Sequence, residues 1–413
     1  MDYGLIGEKL SHSYSKPIHA LIGDYDYKIQ NLAPEELEGF LKTADFKGIN
    51  VTIPYKKAVM PFCHSLSETA ERLGNVNTIV KTKDGRLHGD NTDYYGFAYM
   101  ANEAGISFEN EDVLIIGTGG AAQTAEAVAL DGGAARVTKL SRKGPVNYEN
   151  FYDLCGGAGL IINASPVGMY PDTEKSPLEL KRFNNLRGVL DLIYNPLYTR
   201  LLQEAKELGI KSANGLSMLA AQAKQAADIF FGQTLVPKFS IDQIVEKLTR
   251  DMVNIVLIGM PGSGKTTIGR EFAALSGKAF VDTDELIENQ TGQKPAEIIV
   301  YKGEAYFRDL EAEVIKKAGK EKGQIIATGG GAILREENRK NLRQNAFIVF
   351  IKRELDDLAT DNRPLSADRE KLESLYVTRL PIYEAMSDTI LLSDDRPKVL
   401  AERLMDLFYA HRF

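Results

Sequence analysis

Gly259-Met260-Pro261-Gly262-Ser263-Gly264-Lys265-Thr266 follows the apolar run Asn254-Ile255-Val256-Leu257-Ile258 and precedes Thr267-Ile268-Gly269-Arg270-Glu271-Phe272-Ala273-Ala274-Leu275. The octapeptide fits G-x-x-x-x-G-K-[ST] at every fixed position. The run before it reads as a strand and the run after it as a helix, which is the strand–loop–helix setting of a phosphate-binding loop. Glycines let successive backbone N–H groups turn toward one anion, and the helix N-terminus adds partial positive charge. Lys265 is expected to reach terminal phosphates and Thr266 a magnesium ion, with Gly262, Ser263, Gly264 and Thr267 completing the cradle. The bland alternative is a glycine-rich turn that happens to hold a lysine.

Around this stretch the chain has 413 residues, enough for about two to three domains. Apolar residues make up 44% and charged residues 26%, the balance of a globular protein with a buried core. The formal charge of −7 argues against a nucleic-acid partner, which favours a basic face. Cys63 and Cys155 form neither a metal spacing nor a disulfide framework, and read as thiols in a reducing cytosol. The opening Met1–Gly7 reads as too short and too acidic for a signal peptide, and no apolar run approaches the ~20 residues of a membrane span. A cytoplasmic location is expected.

Downstream of the loop, Ala279-Phe280-Val281-Asp282-Thr283-Asp284 reads as a strand ending in two carboxylates on one side of an extended chain. Two acids beside a phosphate loop suit a magnesium contact and a base or orienter for a hydroxyl nucleophile; capping of the next helix by Asp284 is the structural alternative. Arg308 and Glu311, three apart on an expected helix, are placed to pair. Gly329-Gly330-Gly331 follows the strand Ile325–Thr328 and permits close backbone approach to a ligand. Arg363, in the proline-broken Asp361–Ser366, is a candidate contact to a transferring phosphate. Arg308 and Arg379 could clamp a carboxylate, or simply make surface salt bridges.

Upstream, a second nucleotide signature stands at Gly117-Thr118-Gly119-Gly120-Ala121-Ala122, between the strand Asp112–Ile116 and a helix. It matches G-x-G-x-x-[G/A], and the strand Arg136–Leu140 completes a βαβ unit. Where an NAD site carries an acid for the ribose 2′-OH, this chain has Ser141-Arg142-Lys143, which suits the 2′-phosphate of NADP. Before it, Ser13 and Ser15 lie two apart in a loop, as a ligand grip or as helix caps. Ile49, Val51 and Ile53 alternate as a half-buried strand; Pro54 permits a helix start, which puts Lys56 at a strand-to-helix junction or leaves it merely solvated. Val76-Asn77-Thr78 and Gly89-Asp90-Asn91-Thr92-Asp93 are amide- and hydroxyl-rich, with Asp93 before an expected helix, for which Thr92 or Asp93 would otherwise serve as cap. Met218 and Gln222 lie one turn apart on the helix Gly215–Phe231.

These motifs carry two resemblances. Residues 1–240 resemble shikimate dehydrogenase through Ser13-Tyr14-Ser15, Asn50-Val51-Thr52-Ile53-Pro54-Tyr55-Lys56, Val76-Asn77-Thr78, Gly89–Asp93, the dinucleotide loop and Gly215–Gln222. Residues 252–413 resemble shikimate kinase through the phosphate loop, Asp282-Thr283-Asp284, Phe307-Arg308, Gly329–Gly331, Arg363-Pro364-Leu365 and Arg379. The resemblance implies an α/β chain: a two-domain dehydrogenase, with an α/β substrate lobe and a Rossmann-like NADP lobe, followed by a P-loop kinase of α/β/α layers. The expected limits are 1–102 with 213–240 for the substrate lobe, 103–212 for the NADP lobe, 241–251 for a linker and 252–413 for the kinase.

The implied roles follow position by position. Lys56 and Asp93 form an acid/base pair at the keto carbon of 3-dehydroshikimate. Ser13 and Ser15 hold its carboxylate, and Thr52, Asn77 and Gln222 its hydroxyls. Gly117, Gly119, Gly120, Ala121, Ala122, Ser141 and Arg142 bind NADP(H). Lys265 and Thr266 serve ATP and Mg²⁺, Asp282 orders the metal shell, and Asp284 orients or deprotonates the shikimate 3-OH. Arg308 and Arg379 hold the carboxylate, Gly329, Gly330 and Gly331 pack on the ring, and Arg363 closes over phosphate. The partners are small molecules, with an oligomer allowed. The chain departs from the family patterns in places. Lys16 intervenes before Pro17, Asn75 replaces a small residue, and Ser141-Arg142-Lys143 replaces Asn-Arg-Thr. Asp356, Asp357 and Asp361 occupy a stretch with no arginine between Arg353 and Arg363, where the kinases carry one. Alternatives are a dehydrogenase fused to a degenerate, nucleotide-binding regulatory kinase domain, and a quinate specificity in the first half.

Overall fold

The computed structural model describes residues 1–10, 13–43, 45–358 and 369–413. It resolves into two compact units. Unit 1 comprises Met1–Val167, Ser176–Tyr194 and Glu204–Lys247; unit 2 comprises Gly168–Lys175, Asn195–Gln203 and Leu248–Phe413.

Unit 1 holds two sheets. The first is mixed and six-stranded, built from β1 (Tyr3–Gly7), β2 (Tyr27–Asn31), β3 (Gly48–Val51), β4 (Ser65–Leu66), β5 (Thr78–Lys81) and β6 (Leu87–Asp90) in the order β2-β1-β3-β5-β6-β4. β1 pairs in parallel with β2 and β3, while β5 runs antiparallel to both β3 and β6. The second sheet is parallel throughout: β7 (Asp112–Ile116), β8 (Arg136–Leu140), β9 (Leu160–Asn163), β10 (Gly188–Asp191) and β11 (Lys211–Asn214), ordered β11-β10-β9-β7-β8. Its inner strands are near-continuous apolar runs, as helix-covered parallel strands must be; Leu114, Ile115, Ile116, Ile161 and Ile162 are fully buried.

The helices Asp93–Glu103 and Leu216–Phe231 pack face to face in unit 1. The contact is close because Gly96 lacks a side chain: a Cβ there would come within 2.6 Å of the Met218 carbonyl oxygen. This approach carries Asp93 and Gln222 toward one place. Phe97, Met100 and Met218 join Val113, Ile115, Ile162 and Leu190 in one apolar cluster, so the substrate lobe and most of the NADP lobe expected from sequence fall within a single unit.

Unit 2 is built on a parallel five-stranded sheet: β12 (Asn254–Ile258), β13 (Ala279–Asp282), β14 (Gln324–Ala327), β15 (Ala346–Lys352) and β16 (Thr389–Leu392), ordered β13-β14-β12-β15-β16. β12 is buried along its whole length, and its neighbour β15 along all but its last residue. Phe350 of β15 stacks on Tyr383 of the helix Arg369–Met386, with centroids 5.0 Å apart.

Three local expectations are corrected. Residues 241–251, expected as a linker, lie in the regular helix Ile241–Met252, and the units change over inside it, at Lys247/Leu248. Segments Gly168–Lys175 and Asn195–Gln203, assigned by sequence to the NADP lobe, cluster with unit 2, where the Leu197 N–H donates to Asn345 Oδ1 at 2.9 Å. After β3 the chain enters turns instead of a helix, and Ile53 is 77% exposed, so the period-two burial stops at Val51.

Candidate functional sites

In unit 1, β6 delivers Asp93 to the first turn of its helix. Asp93 is 6% exposed, and Lys56 Nζ lies 2.6 Å from its Oδ2. Asn77 Nδ2 donates to the other oxygen, Oδ1, at 2.9 Å and reaches Gln222 Oε1 at 3.4 Å. Asn77 is itself held, since its Oδ1 accepts from the Thr92 N–H at 2.8 Å and the Thr78 hydroxyl at 3.0 Å. Asn91 Oδ1 accepts from the Asp93 N–H at 3.0 Å, so a side chain two residues earlier caps this end of the helix, where neither Thr92 nor Asp93 does. Lys56, Asp93, Asn77 and Gln222 thus form one constellation. A buried carboxylate in contact with an ammonium is positioned to hold that ammonium in one orientation.

Ser13 Oγ lies 3.1 Å from Ser15 Oγ at the start of the helix Ser15–Ile22, so the two hydroxyls do converge. Tyr14 between them packs edge-on against Tyr194, at 5.8 Å between centroids. A polar chain leads inward from the serines. Burial holds the Tyr27 phenol well above its ordinary pKa, with a bond to Ser15 acting the other way. Tyr27 donates to Asn50 Oδ1 at 2.7 Å, and Asn50 Nδ2 donates to Thr78 Oγ1 at 3.1 Å. Tyr27 had no role in the sequence reading and Asn50 entered it only within a motif; the bond between them, with Tyr27 buried and Asn50 half-buried, singles them out. Thr52, half-buried, follows β3, and its methyl lies 2.7 Å from where a Gly7 Cβ would sit. His19 is buried against Tyr27, rings 3.8 Å apart, and burial holds its imidazole down to about 3, which removes it as a proton carrier near neutrality.

At the dinucleotide loop, the helix Gly120–Asp131 begins directly after β7 and three loop residues. Cβ atoms on Gly119 and Gly120 would meet nothing, so this backbone is open to a ligand, while Ala122 is buried against the fold. Arg142 and Lys143 are exposed beyond β8, and among the described residues Arg142 has no ion pair. An unengaged guanidinium at that strand end fits a phosphate-bearing dinucleotide.

In unit 2, a cleft of about 570 Å³ is lined by Gly262, Gly264, Lys265, Thr266, Thr267, Asp282, Asp284, Arg308, Gly329–Gly331 and Arg379, together with Glu311 and Arg353. The phosphate loop turns through Gly259, Gly262 and Gly264, at φ of +150°, +86° and +96°; a Cβ on Gly259 would also come within 2.5 Å of the Ile351 carbonyl oxygen. Lys265 Nζ donates to the loop carbonyls of Gly259 and Met260 at 3.0 and 2.9 Å. Ser263 is buried with its hydroxyl oxygen unpartnered.

Asp282 and Asp284 do not both project from an extended chain, as expected from sequence. β13 ends at Asp282 and the helix Thr283–Thr291 starts at once. Asp282 caps that helix, accepting from the Asp284 N–H at 2.9 Å, and its other oxygen accepts from Thr266 Oγ1 at 2.7 Å. The strand end therefore joins the magnesium-type hydroxyl to a carboxylate, and turns Asp284 into the cleft. Burial first, then the charges of Asp282 and Glu311, push the Asp284 carboxyl up to about 6, against Lys265 and Arg308. Its Oδ1 is buried without a partner, as is Glu311 Oε1.

Arg308 bonds Glu311 Oε2 at 2.8 Å and Glu304 Oε1 at 2.9 Å. Burial opposes its charge, and Glu311 and Glu304 more than offset that and raise its pKa. Arg308 and Arg379, 71 positions apart by number, both reach the cleft, 9% and 3% exposed respectively. The tight glycine run makes room for Arg308: a Gly331 Cβ would lie 2.2 Å from Arg308 Nη2, and a Gly330 Cβ 2.6 Å from Pro261 of the phosphate loop. Tyr383 donates to the Gly330 carbonyl. Arg363 lies outside the described residues.

The folds and sites define two enzyme classes in one chain, a dinucleotide-dependent reductase and a phosphate-loop phosphotransferase. A family model described as "Shikimate dehydrogenase substrate binding domain" matches residues 5–79, and one described as "Shikimate kinase" matches 261–408. The NADP(+) shikimate dehydrogenase of Clostridium beijerinckii is 38% identical over 248 residues, 55% of this chain and 91% of that protein. A chorismate mutase/shikimate 5-dehydrogenase fusion protein from Clostridium acetobutylicum matches with TM-score 0.56 and 35% identity, over 60% of this chain and 96% of the other. Shikimate 5-dehydrogenase from Thermus thermophilus, solved with NADP(H) and shikimate, matches with TM-score 0.54 and 31% identity, over 60% of this chain and 99% of the other. The chain belongs to the shikimate dehydrogenase family and carries a shikimate kinase domain in its C-terminal part.

Proposed function

We propose that this bifunctional shikimate-pathway enzyme reduces 3-dehydroshikimate to shikimate with NADPH and then phosphorylates shikimate to shikimate 3-phosphate with ATP and Mg²⁺. The observation that carries the reading is that Lys56, Asp93 and Asn77 are in contact in one unit, while Asp284, Lys265 and Arg308 line one cleft in the other.

When bound, NADPH supplies hydride, and ATP with Mg²⁺ supplies the phosphoryl group. In the first site, Ser13 and Ser15 hold the substrate carboxylate, and Thr52, Asn77 and Gln222 its hydroxyls. Lys56 donates its proton to the carbonyl oxygen, and Asp93 holds the ammonium in orientation. Gly117, Gly119, Gly120, Ala121 and Ala122 receive the pyrophosphate, and Ser141 and Arg142 the 2′-phosphate. In the second site, Lys265, Thr267 and the backbone of Gly262–Gly264 cradle phosphates, while Thr266 and Asp282, already in contact, fit a magnesium site. Asp284, with a carboxyl at about 6, accepts the proton of the 3-OH near neutral pH. Arg308 and Arg379 hold the carboxylate, Gly329–Gly331 pack on the ring, and Arg363 contacts phosphate. Positioning and charge stabilisation dominate such a transfer.

The ligands are small molecules. The negative balance speaks against nucleic acid as a partner, and among the described residues no helix is long and apolar enough to cross a membrane. A cytoplasmic location is our reading of composition, and an oligomer is compatible with it.

The test is one reaction containing the full chain, 3-dehydroshikimate, NADPH, ATP and Mg²⁺, with NADPH absorbance and phosphorylated product followed together. Both should change; Lys56→Ala should stop the first and Lys265→Ala only the second when shikimate is supplied. Consumption of NADPH with shikimate left unphosphorylated would instead favour a regulatory, nucleotide-binding kinase domain. Oxidation of quinate in preference to shikimate would overturn the substrate assignment of the first site.

A further inference from the structure

Arg353 stands in the unit 2 cleft with no function yet attached to it. It follows β15 directly, and β15 pairs with β12, the strand that runs into the phosphate loop. Two residues before Arg353, the Ile351 carbonyl oxygen lies against Gly259, the first residue of that loop. Arg353 therefore sits on the phosphate-loop side of the cleft, whereas Arg308 packs on Gly331, on the glycine-run side.

Its neighbours leave it unengaged. Glu354, Asp356 and Asp357 follow within four positions, yet among the described residues Arg353 forms no ion pair or hydrogen bond, and its Nε is buried without a partner. Three other cationic side chains nearby are engaged, Arg308 by Glu311, Lys265 by loop carbonyls and Lys352 by Glu384 at 3.4 Å, while Arg379, also in the cleft, likewise has a buried Nε without a partner. A buried guanidinium N–H left without an acceptor is costly unless a ligand supplies one, and the fork of an arginine matches two phosphate oxygens at once.

We propose that Arg353 is a nucleotide-contacting residue whose guanidinium binds the polyphosphate of the nucleotide seated on the phosphate loop. The proposal rests on the nucleotide-binding part of the reading above. It provides a cation at the start of a stretch where Asp356, Asp357 and Asp361 otherwise supply only negative charge.

The test measures equilibrium binding of Mg·ATP and of Mg·tripolyphosphate to the full chain, its Arg353→Gln variant and its Arg353→Lys variant. Arg353→Gln should weaken both ligands by about tenfold or more, the size of one lost charge-assisted contact, and Arg353→Lys should recover part of the loss. Shikimate binding to the same variants, within about twofold of wild type, establishes that the cleft is intact. Tripolyphosphate binding within about twofold of wild type in Arg353→Gln would overturn the proposal. So would a loss seen with ATP and not with tripolyphosphate, because the contact would then be to the nucleoside. Failure of the wild-type chain to phosphorylate shikimate would sink the activity reading alone, since binding reports on Arg353 whether or not transfer follows.

Discussion

Asp284→Asn should stabilise unit 2 at neutral and alkaline pH while abolishing phosphoryl transfer. In the folded chain the Asp284 carboxyl is pushed from 3.8 to about 6 by burial and by Asp282 and Glu311. Below about pH 4 the carboxyl is neutral folded and unfolded, and its titration contributes nothing. As pH rises from about 4 to 6 the unfolded chain releases this proton first, so unfolding becomes easier; above about 6 the full penalty applies. A shift of about two units corresponds to about 3 kcal/mol. Because Asp284 is half-buried and opens on the cleft, solvent screening reduces that to about 1–3 kcal/mol. Asparagine removes the charge and brings an N–H₂ group next to Glu311 Oε1, the other unpartnered oxygen beside Gly329. Calorimetry of the full chain at pH 4 to 8 is the assay, with the unit 2 transition identified as the one raised by Mg·ADP. At about 2–4 °C per kcal/mol, the variant should melt about 2–12 °C above wild type at pH 8, and the gain should vanish toward pH 4. A variant equal to or less stable than wild type at pH 8, or a gain independent of pH, would refute the reasoning. Transfer should fall by about 10²–10⁴-fold, and wild-type activity should decline on an acid limb near pH 6.

Three further outcomes follow from the geometry. Asn77→Ala removes the donor to Asp93 Oδ1 and the acceptor of the Thr92 N–H; the rate of NADPH oxidation should drop by about tenfold or more, and an Asn77→Ala chain with wild-type kinetics would show that the network is idle. Arg142→Ala should raise the KM for NADPH by about tenfold to a hundredfold and change that for NADH little, which a side-by-side cofactor titration reads directly. Gly331→Ala places a methyl 2.2 Å from Arg308 Nη2, so the guanidinium must leave Glu311; the KM for shikimate in the kinase reaction should rise by about tenfold, and an unchanged KM would place the carboxylate elsewhere.

What could be read without a structure were features that impose local demands on the backbone. The phosphate loop needs glycines at positive φ and a lysine at the helix start, and those demands fall within eight consecutive residues. The parallel strands β7, β9, β12 and β15 declared themselves as unbroken apolar runs because both faces are covered. Local reading failed where a local rule was overridden. Pro54 is compatible with a helix start, yet turns follow it. Asp282 and Asp284 fit an extended pair, yet the helix begins between them and Asp282 becomes its cap.

The sequence by itself determined the fold class, the two nucleotide loops and the identity of the chemical groups, because each is specified by residues adjacent in the chain. Only the tertiary structure decided which of those groups meet. Lys56 and Asp93 are 37 positions apart and Asn77 and Gln222 145 apart, and the helix carrying Gln222 packs closely on the one carrying Asp93 at Gly96. The state of Asp284 likewise comes from burial beside Asp282, Glu311 and Arg308, and Arg353 is unengaged although three carboxylates follow it. Spacing along a chain carries no information on desolvation or on which partner a charge finds, since both are set by packing between elements remote in sequence.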